Sequence, residues 1–310
     1  MNSLFKAPLT GLGFASQSGR GLFFGLLAAV LYGLIPTFTL PIHPLHGSPD
    51  EAMSEISILF YRFASAALII GLVMAVRRKS FRITRGEAVT LIYLAFLSDG
   101  AAMFLLAGYA YMPSGIATTI HFMYPVLTAV IMMLFYHESR RPITIVAVVL
   151  AVVGVGALSW PIGGVRVGMR GVVLELISAL CFALYLIRLN RSRVAGMDDM
   201  KLTFYIIFFG ALIFGGEAFR QDHFELITTP TQALSLFGLG LICTVVTNLS
   251  LVVAVKNIGS TTTAVLGALE PLTAVVLGSL LFSEAITWNV GLGIALIIPA
   301  VVVVIFTRNR

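Results

Sequence analysis

Residues 114–130 (SGIATTIHFMYPVLTAV) and residues 260–275 (STTTAVLGALEPLTAV) are two versions of one pattern. Each begins with serine, continues with threonines and small apolar residues, and places a proline shortly before Leu-Thr-Ala-Val. An acid, Glu138 or Glu284, follows each stretch. Apolar stretches of this length with almost no charge are typical of helices that cross a membrane. The chain therefore contains a duplicated membrane helix, and Pro125 and Pro271 are expected to kink the two copies.

The duplication extends beyond these two stretches. Gly21 aligns with Gly171 and Ala29 with Ala179, so the repeat is about 145 to 150 residues long and covers nearly the whole chain. We predict a cytoplasmic N-terminal segment at 1–20, a first repeat at 21–160 and a second repeat at 161–310.

Composition excludes a soluble globular protein. Hydrophobic residues make up 58% of the chain and charged residues 11%, and the mean hydropathy is +0.99. These charges are too few to form a water-facing exterior. The net charge of +6 comes from short clusters between apolar runs, without a basic face or an aromatic platform, so no nucleic-acid partner is expected. Cys181 and Cys243 lie inside apolar runs, which predicts no disulfide framework.

A bilayer core of about 30 Å requires roughly 20 apolar residues in a helix. On that basis we predict an all-α membrane protein with ten transmembrane helices arranged as two inverted five-helix repeats. The predicted spans are 21–40, 56–76, 88–110, 114–135, 143–160, 171–189, 202–219, 233–255, 260–282 and 286–306.

Positive charge predicts how the spans are oriented. With both termini in the cytoplasm, sixteen Lys and Arg residues fall on the cytoplasmic side and three on the opposite side, with Arg62 inside a span. Trp160 and Trp288 then both lie at the outer boundary, where tryptophan is favoured. Because each repeat has an odd number of spans, the second must enter the membrane in the opposite direction. Inverted repeats suit alternating access around a central site.

Several short motifs resemble the EamA-type family of the drug/metabolite transporter superfamily. They are Arg62-Phe63, the run Tyr109-Ala-Tyr-Met-Pro-Ser-Gly, Glu270-Pro271 and the acid that ends each repeat. The resemblance implies a ten-helix carrier in a bacterial-type inner (plasma) membrane, with a cavity between its two halves and metabolites such as amino acids as cargo. One departure is Tyr124-Pro125, which stands where Glu-Pro is common in the first copy.

Polar residues inside the predicted spans are the candidates for a solute and coupling pathway, because ionisable groups in hydrocarbon are costly. They are Glu270, Asp99, Tyr124, His121, Arg62, Thr118 and Asn248. Glu270 is expected to attract a cationic group, to carry a proton or to pair with Arg62 as a structural tie. The same alternatives apply to Asp99, and for Arg62 a structural role is the preferred interpretation. Thr118, His121 and Thr128 share one helix face, which fits a cavity wall or a helix interface.

Other kinds of function fit less well. Ser114 and His121 lie two helical turns apart, about 10 Å, too far for a hydrolase dyad. Asp99 has no companion acid of the type that aspartyl intramembrane proteases use. His43 and His46, in a proline-rich loop, suggest either a metal site or an ordinary solvated connection. A receptor or structural membrane protein lacks a soluble domain to support it.

We therefore predict a secondary transporter, not an enzyme, that exports a small metabolite such as an amino acid. A multidrug or toxic-compound efflux carrier is the alternative. No Walker A pattern is present, so a proton gradient, solute exchange or the solute's own gradient is expected to drive transport, without a cofactor or a metal. The expected partners are the solute and the lipid bilayer, and the sequence does not decide the substrate, the direction of transport or the oligomeric state.

Overall fold

The computed structural model describes residues 17–44, 47–111, 114–136, 142–158, 169–220 and 225–282, with isolated positions between 288 and 299. All regular structure within these ranges is helical, and no β-strand occurs in them. The helices are α1 (Gln17–Tyr32), α2 (Ile35–Thr39), α3 (Glu55–Val76), α4 (Arg85–Gly108), α5 (Ser114–His121), α6 (Tyr124–Phe135), α7 (Pro142–Leu158), α8 (Met169–Arg191), α9 (Asp199–Arg220), α10 (Pro230–Gly240), α11 (Thr247–Leu266) and α12 (Leu269–Phe282). A π-helical segment, Leu241–Val246, joins α10 to α11.

The exterior of the helical bundle is apolar. Five large apolar side chains are more than half exposed: Leu72, Val89, Phe96, Leu134 and Leu234. Soluble proteins rarely expose so much apolar surface to water. By length and composition, six of the described helical segments can cross a membrane. They are Gln17–Ile42, Glu55–Val76, Arg85–Gly108, Met169–Arg191, Asp199–Arg220 and Pro230–Leu266. The chain is therefore a multi-pass membrane protein whose surface faces lipid.

Described helices occur where each of the first nine spans is predicted. The eighth and ninth spans meet at Gly259, whose φ of +78° breaks α11 at a backbone conformation that favours glycine. The tenth predicted span, 286–306, lies outside the described residues apart from isolated positions, so the count of ten spans stays a prediction. Glu138, Glu284, Trp160 and His46 also lie outside the described residues.

Local sequence signals explain where several helices begin. The Ser54 side chain accepts a hydrogen bond from the backbone N–H of Ser57 at the start of α3. Thr84 with Glu87 forms a capping box at the start of α4, and Thr229 with Gln232 forms another at the start of α10. These caps satisfy amide groups that the first helical turn leaves unpaired.

The main helix–helix contacts follow the symmetry of the two repeats. α1 packs along α11, and α4 packs along α8. In the predicted spans these are the first with the eighth and the third with the sixth, so exchanging the repeats turns one pair into the other. α3 and α9, the second span of each repeat, pack against each other. Two buried apolar clusters lie in the interfaces between these helices.

Polar contacts join the two repeats at both ends of α3. Near its C-terminus, Lys79 Nζ donates to Asp198 Oδ2 at 2.6 Å, and Lys201 and Tyr205 donate to backbone carbonyl groups at Arg82 and Phe81. We call this set the Asp198 bridge. At the N-terminus of α3, the Ser54 N–H donates to Glu225 Oε2 at 2.6 Å, the Glu225 N–H donates to Ser57 Oγ and the Tyr61 hydroxyl donates to the Glu225 carbonyl. We call this second set the Glu225 bridge.

Candidate functional site

Two broken helices, one from each repeat, form the centre of the bundle. In the first repeat α5 ends at His121 and α6 begins at Tyr124; in the second α11 ends at Leu266 and α12 begins at Leu269. A proline, Pro125 or Pro271, stands in the first turn after each break, where its missing N–H costs nothing. The kinks expected from the prolines are thus breaks in the helix. Breaks of this kind at membrane depth are tolerated where the backbone is buried in protein or lines a cavity.

The two breaks meet each other. A Cβ atom at Gly267, in the second break, would overlap the hydroxyl oxygen of Tyr124, which begins the helix after the first break. Only glycine leaves room for that hydroxyl group at this distance. Tyr124 and Gly267 therefore bring the interrupted segments of the two repeats into direct contact.

A small cavity lies beside this contact. Its volume is about 10 Å³, roughly the space that one water molecule needs. Both repeats contribute equally to its wall. The lining residues are Gly25, Ala28, Ala29, Tyr32 and Tyr124 from the first repeat, and Phe182, Leu186, Leu251, Thr263 and Gly267 from the second. Of the seven residues predicted for the pathway, Tyr124 alone lines this cavity. A solute larger than water requires the two repeats to move apart.

Aromatic rings cluster on one side of the cavity. The Tyr124 and Phe182 ring centroids are 4.7 Å apart and nearly perpendicular, and the Tyr32 and Phe182 centroids are 6.1 Å apart. The His121 ring packs against both Tyr124 and Phe182, with centroid distances of 5.4 Å and 5.6 Å. Ring faces of this kind attract organic cations and stack on planar groups. The cluster is suited to an amphiphilic solute.

His121 is held in one tautomer by Ser178 on α8. The Ser178 hydroxyl donates its only proton to the Ala101 carbonyl at 2.6 Å, and His121 Nδ1 lies 2.8 Å from the same hydroxyl oxygen. That oxygen can therefore only accept from His121, so Nδ1 carries the proton. In the neutral ring Nε2 is then an acceptor. His121 thus presents a hydrogen-bond acceptor from a ring whose position is fixed by α4 and α8.

Glu270 lies in the first turn of α12, immediately after the second break. Its side chain is buried, with 6% exposure. A negative charge is favourable at the N-terminus of a helix. Tyr32, Tyr109 and Tyr124 all lie within electrostatic range of its carboxyl group. Glu270 therefore stands next to the cavity wall, among tyrosines of the first repeat.

Arg62 does not pair with Glu270. Its Nε donates to Thr244 Oγ1 at 2.8 Å and its Nη2 donates to the Cys243 carbonyl at 3.4 Å, both in the π-helical segment. Among the described residues, no ion pair within 4.0 Å joins Arg62 to Glu270 or to Asp99. The guanidinium group therefore ties α3 to the π-helical segment of the other repeat. The direct Arg62–Glu270 tie considered from the sequence is absent from this described conformation.

Asp99 lies apart from the cavity. Its side chain is 3% exposed, and neither carboxyl oxygen has a hydrogen-bond partner among the described residues. The carboxyl group packs against α9, where a Cβ at Gly210 would lie 2.7 Å from Oδ1 and 2.9 Å from Phe63 Cδ1. The seven predicted residues therefore do not form one compact site, because Asp99 faces the α3–α4–α9 contact.

Thr118 and Asn248 form hydrogen bonds with tyrosines of the first repeat. The Thr118 hydroxyl lies 3.3 Å from the Tyr109 hydroxyl, and both groups are buried. Asn248 Nδ2 donates to the Thr244 carbonyl at 2.9 Å, and the Tyr32 hydroxyl donates to Asn248 Oδ1 at 3.5 Å. Asn248 therefore links the π-helical segment that holds Arg62 to a tyrosine of the cavity wall.

The loop with two histidines, between α2 and α3, shows no metal site in its described part. His43 is fully buried, and its Nε2 lies 3.7 Å from Glu55 Oε1. No group of three or more metal-ligating side chains occurs among the described residues. The interpretation of this loop as a solvated connection is wrong for His43, which packs beside the Tyr109 ring instead.

Sequence reasoning missed several residues of this region. Sequence patterns do not single out Tyr32, Phe182 or Ser178, because aromatic residues and serine are common within apolar runs. Glu175 on α8 does carry a signal, since it is an acid within an apolar run, but it is not among the seven predicted residues. It is fully buried, and neither of its carboxyl oxygens has a hydrogen-bond partner among the described residues.

Comparisons with known proteins agree with the resemblance seen in the sequence. The model of the EamA-like transporter family matches residues 19–160 and again residues 169–306. No curated protein sequence matches the chain. One solved structure, described only as a crystal structure of a protein, superposes with a TM-score of 0.77 at 16% identity, covering 93% of this chain and 99% of that chain. At that identity the likeness shows the fold alone.

Proposed function

Because the chain belongs to the EamA-like transporter family, and so is a membrane transporter, we propose that it exports a small metabolite, such as an amino acid or a related compound. The proposed mechanism is alternating access of a site between the two repeats. The proposed location is a bacterial-type inner membrane, with both termini in the cytoplasm.

The cavity shared by the two repeats is the observation that carries this proposal. Five of its lining residues come from each repeat, and it lies where the two broken helices meet. A site built in this way changes shape when one repeat moves against the other. The proposal does not require any change within a repeat.

The positions of the two bridges support an inverted arrangement of the repeats. The loop after α3 is the counterpart of the loop after α9, because α3 and α9 are the second spans of their repeats. The loop after α3 contributes Lys79, which lies at the C-terminal end of α3. The loop after α9 contributes Glu225, which binds Ser54 at the N-terminal end of α3. Counterpart loops thus lie at opposite ends of the bundle. Together with the small cavity, two intact bridges correspond to a conformation that is closed at both ends.

The lining residues favour one class of solute. Tyr32, Tyr124 and Phe182 line the cavity with ring faces. Glu270 does not line it, but its carboxyl group lies within electrostatic range of Tyr32 and Tyr124 and can attract a positive charge when the repeats move apart. A solute with a cationic nitrogen and an apolar part therefore suits the site. Amino acids and related amines have these features. Lipophilic drug cations have them too, which keeps an efflux carrier as the second candidate.

Flux measurements test the proposed function. Purified protein in liposomes is expected to give saturable, pH-gradient-dependent movement of at least one member of a panel of amino acids, amines and lipophilic cations. Movement of amines or amino acids supports the metabolite exporter, and movement of lipophilic cations alone supports the efflux carrier. Protein-free liposomes provide the control. Absence of saturable flux for the entire panel would contradict the proposed function.

Weakening either bridge is expected to open one end of the protein. Asp198→Asn removes the ion pair with Lys79 but keeps an oxygen for the backbone N–H groups of Met200 and Lys201. Half-exposed ion pairs contribute about 0–1 kcal/mol, so a shift of up to about fivefold in the population open at that end is expected. Glu225→Ala is expected to do the same at the other end.

Thiol labelling of Cys243 reports these shifts, because this residue is buried and its carbonyl group accepts a hydrogen bond from Arg62, which lies on α3 between the two bridges. In a Cys181→Ser background, an impermeant thiol reagent added to one face of proteoliposomes should react faster from the Asp198 side in Asp198→Asn, and from the opposite side in Glu225→Ala. Glu217→Gln weakens the ion pair with Arg220 on the same helix and should change neither rate. Equal acceleration from both faces in either bridge variant would refute separate closures.

A further inference from the structure

Glu175 is a buried carboxyl group that the proposed cavity does not use. It lies on α8, and its oxygens have no hydrogen-bond partner among the described residues. A Cβ atom at Gly108, near the C-terminal end of α4, would overlap Glu175 Oε1. Because Gly108 has no side chain, the carboxyl group can occupy this space. An ionised carboxylate in such a place has no donor among the described residues to offset its lost hydration.

The contact between α4 and α8 has a counterpart between α1 and α11, and that counterpart has no acid at the matching position. The alignment of Gly21 with Gly171 pairs Gly25 with Glu175, and the alignment of Ser114 with Ser260 pairs Gly108 with Ala254. In the structure a Cβ at Gly25 would lie 3.5 Å from Ala254 Cβ, an ordinary contact, and 2.7 Å from Cδ1 of the Leu266 side chain. Two small residues thus suffice to pack α1 on α11. Packing alone does not account for a glutamate at the matching place between α8 and α4.

Glu175 shares a face of α8 with residues of the central site. Ser178, one turn along α8, holds His121, and Phe182, two turns along, lines the cavity. Tyr109, the residue after Gly108, lies within electrostatic range of both Glu175 and Glu270. The titratable groups on the helices packed against this face include Tyr109 and Asp99 of α4, His121 of α5, Tyr124 of α6 and Lys256 of α11. Of these, Asp99 is turned toward α9. Lys256 is bound to Asp199, at the end of the bundle that carries the Asp198 bridge.

We propose that Glu175 is a proton-binding site of the transporter, distinct from Glu270. This proposal rests on the proposed function. In the closed conformation the carboxyl O–H bond is intact and the group is neutral between α4 and α8. When the α4–α8 contact opens to water, the O–H bond breaks, its electron pair stays on the carboxylate and the proton passes to water. Closure reverses the step, so each cycle can carry one proton.

Infrared spectroscopy tests the protonation directly. Spectra of the full-length protein in liposomes are expected to contain a carbonyl band of a protonated carboxylic acid that persists at neutral pH and is lost in Glu175→Gln. Glu217→Gln, which changes a partly exposed acid paired with Arg220, should leave that band intact. Gly108→Ala should shift the band, since it displaces the Glu175 carboxyl group. Identical spectra for wild type and Glu175→Gln would overturn the proposal.

Flux separates failure of this proposal from failure of the proposed function. Glu175→Gln is expected to lose the response of solute flux to an imposed pH gradient while solute exchange without a gradient continues. If no panel member moves in the wild-type protein, the proposed function fails, but the infrared band still decides whether Glu175 holds a proton. If the wild-type flux responds to pH and Glu175→Gln responds equally, Glu175 is not a coupling site.

Discussion

Glu270→Gln is expected to abolish pH-driven solute flux, to below about one tenth of the wild-type rate, a loss of at least about 1.4 kcal/mol in stabilisation of the transport step. Glutamine has the same shape but stays neutral, so it neither attracts a cationic nitrogen nor carries a proton. Because Arg62 is bound to Thr244 and Cys243 rather than to Glu270, thermal stability should stay close to that of wild type. Initial rates in proteoliposomes and thermal unfolding in detergent provide the two measurements.

The matched control for this substitution is Glu87→Gln. Glu87 closes the capping box of α4 on the surface, and glutamine supports the same box. Its flux and stability should both match those of wild type. Undiminished pH-driven flux in Glu270→Gln would remove Glu270 from the mechanism. A large loss of stability in place of flux would instead support a structural role for its carboxyl group.

The helical fold was predictable because the thickness of the bilayer sets the number of consecutive apolar residues that a spanning helix needs. Runs such as 56–76 and 202–219 match α3 and α9 closely, since a buried apolar helix has few other ways to satisfy its backbone. The breaks before Tyr124 and before Leu269 were harder to foresee. Proline predicts a disturbance one turn earlier, but whether that disturbance becomes a bend or a break depends on what packs there. At Gly267 the deciding neighbour is Tyr124, from the other repeat.

Depth along a span identified Glu270, Tyr124 and His121, which do surround the central contact. The depth of a residue in the membrane does not indicate the side of the helix on which its side chain lies. Asp99 is therefore predicted with the same group, although its carboxyl group faces Gly210. The rotation of α4 about its axis is set by its packing on α8 and α9, which no local pattern encodes. The partners of Arg62 were unpredictable for a related reason, because the π-helical segment that receives it has no distinctive sequence.

Glu175 illustrates a different limit. It belongs to no motif and occurs near the start of an apolar run, where an acid is easily assigned to the membrane surface. Its significance becomes clear only beside Gly108, which lies 67 positions earlier in the chain. The repeat alignment already paired this acid with Gly25, and that mismatch of a glutamate with a glycine was the available signal.

Gly33→Val is expected to cause the largest loss of stability among single substitutions at the interface between the repeats. Gly33 lies in the turn between α1 and α2, where an added Cβ would be 2.6 Å from Thr273 Cβ and 2.7 Å from the backbone oxygen of Glu270. A side-chain rotation does not relieve contact with a backbone atom, so α1 and α12 must separate. Overpacking of this kind costs typically about 1–3 kcal/mol.

Flux should fall with stability in Gly33→Val, because the displaced segment carries Glu270. Gly33→Ala should show a smaller loss of both, since it adds the same Cβ without the two methyl groups. Gly216→Val on α9 is the matched control, because nothing lies within 4 Å of a Cβ there. Thermal unfolding of the three variants in one detergent, with initial flux rates in liposomes, gives the ranking. If Gly33→Val unfolds at the same temperature as Gly216→Val, α1 and α12 do not make the close contact on which the position of Glu270 depends.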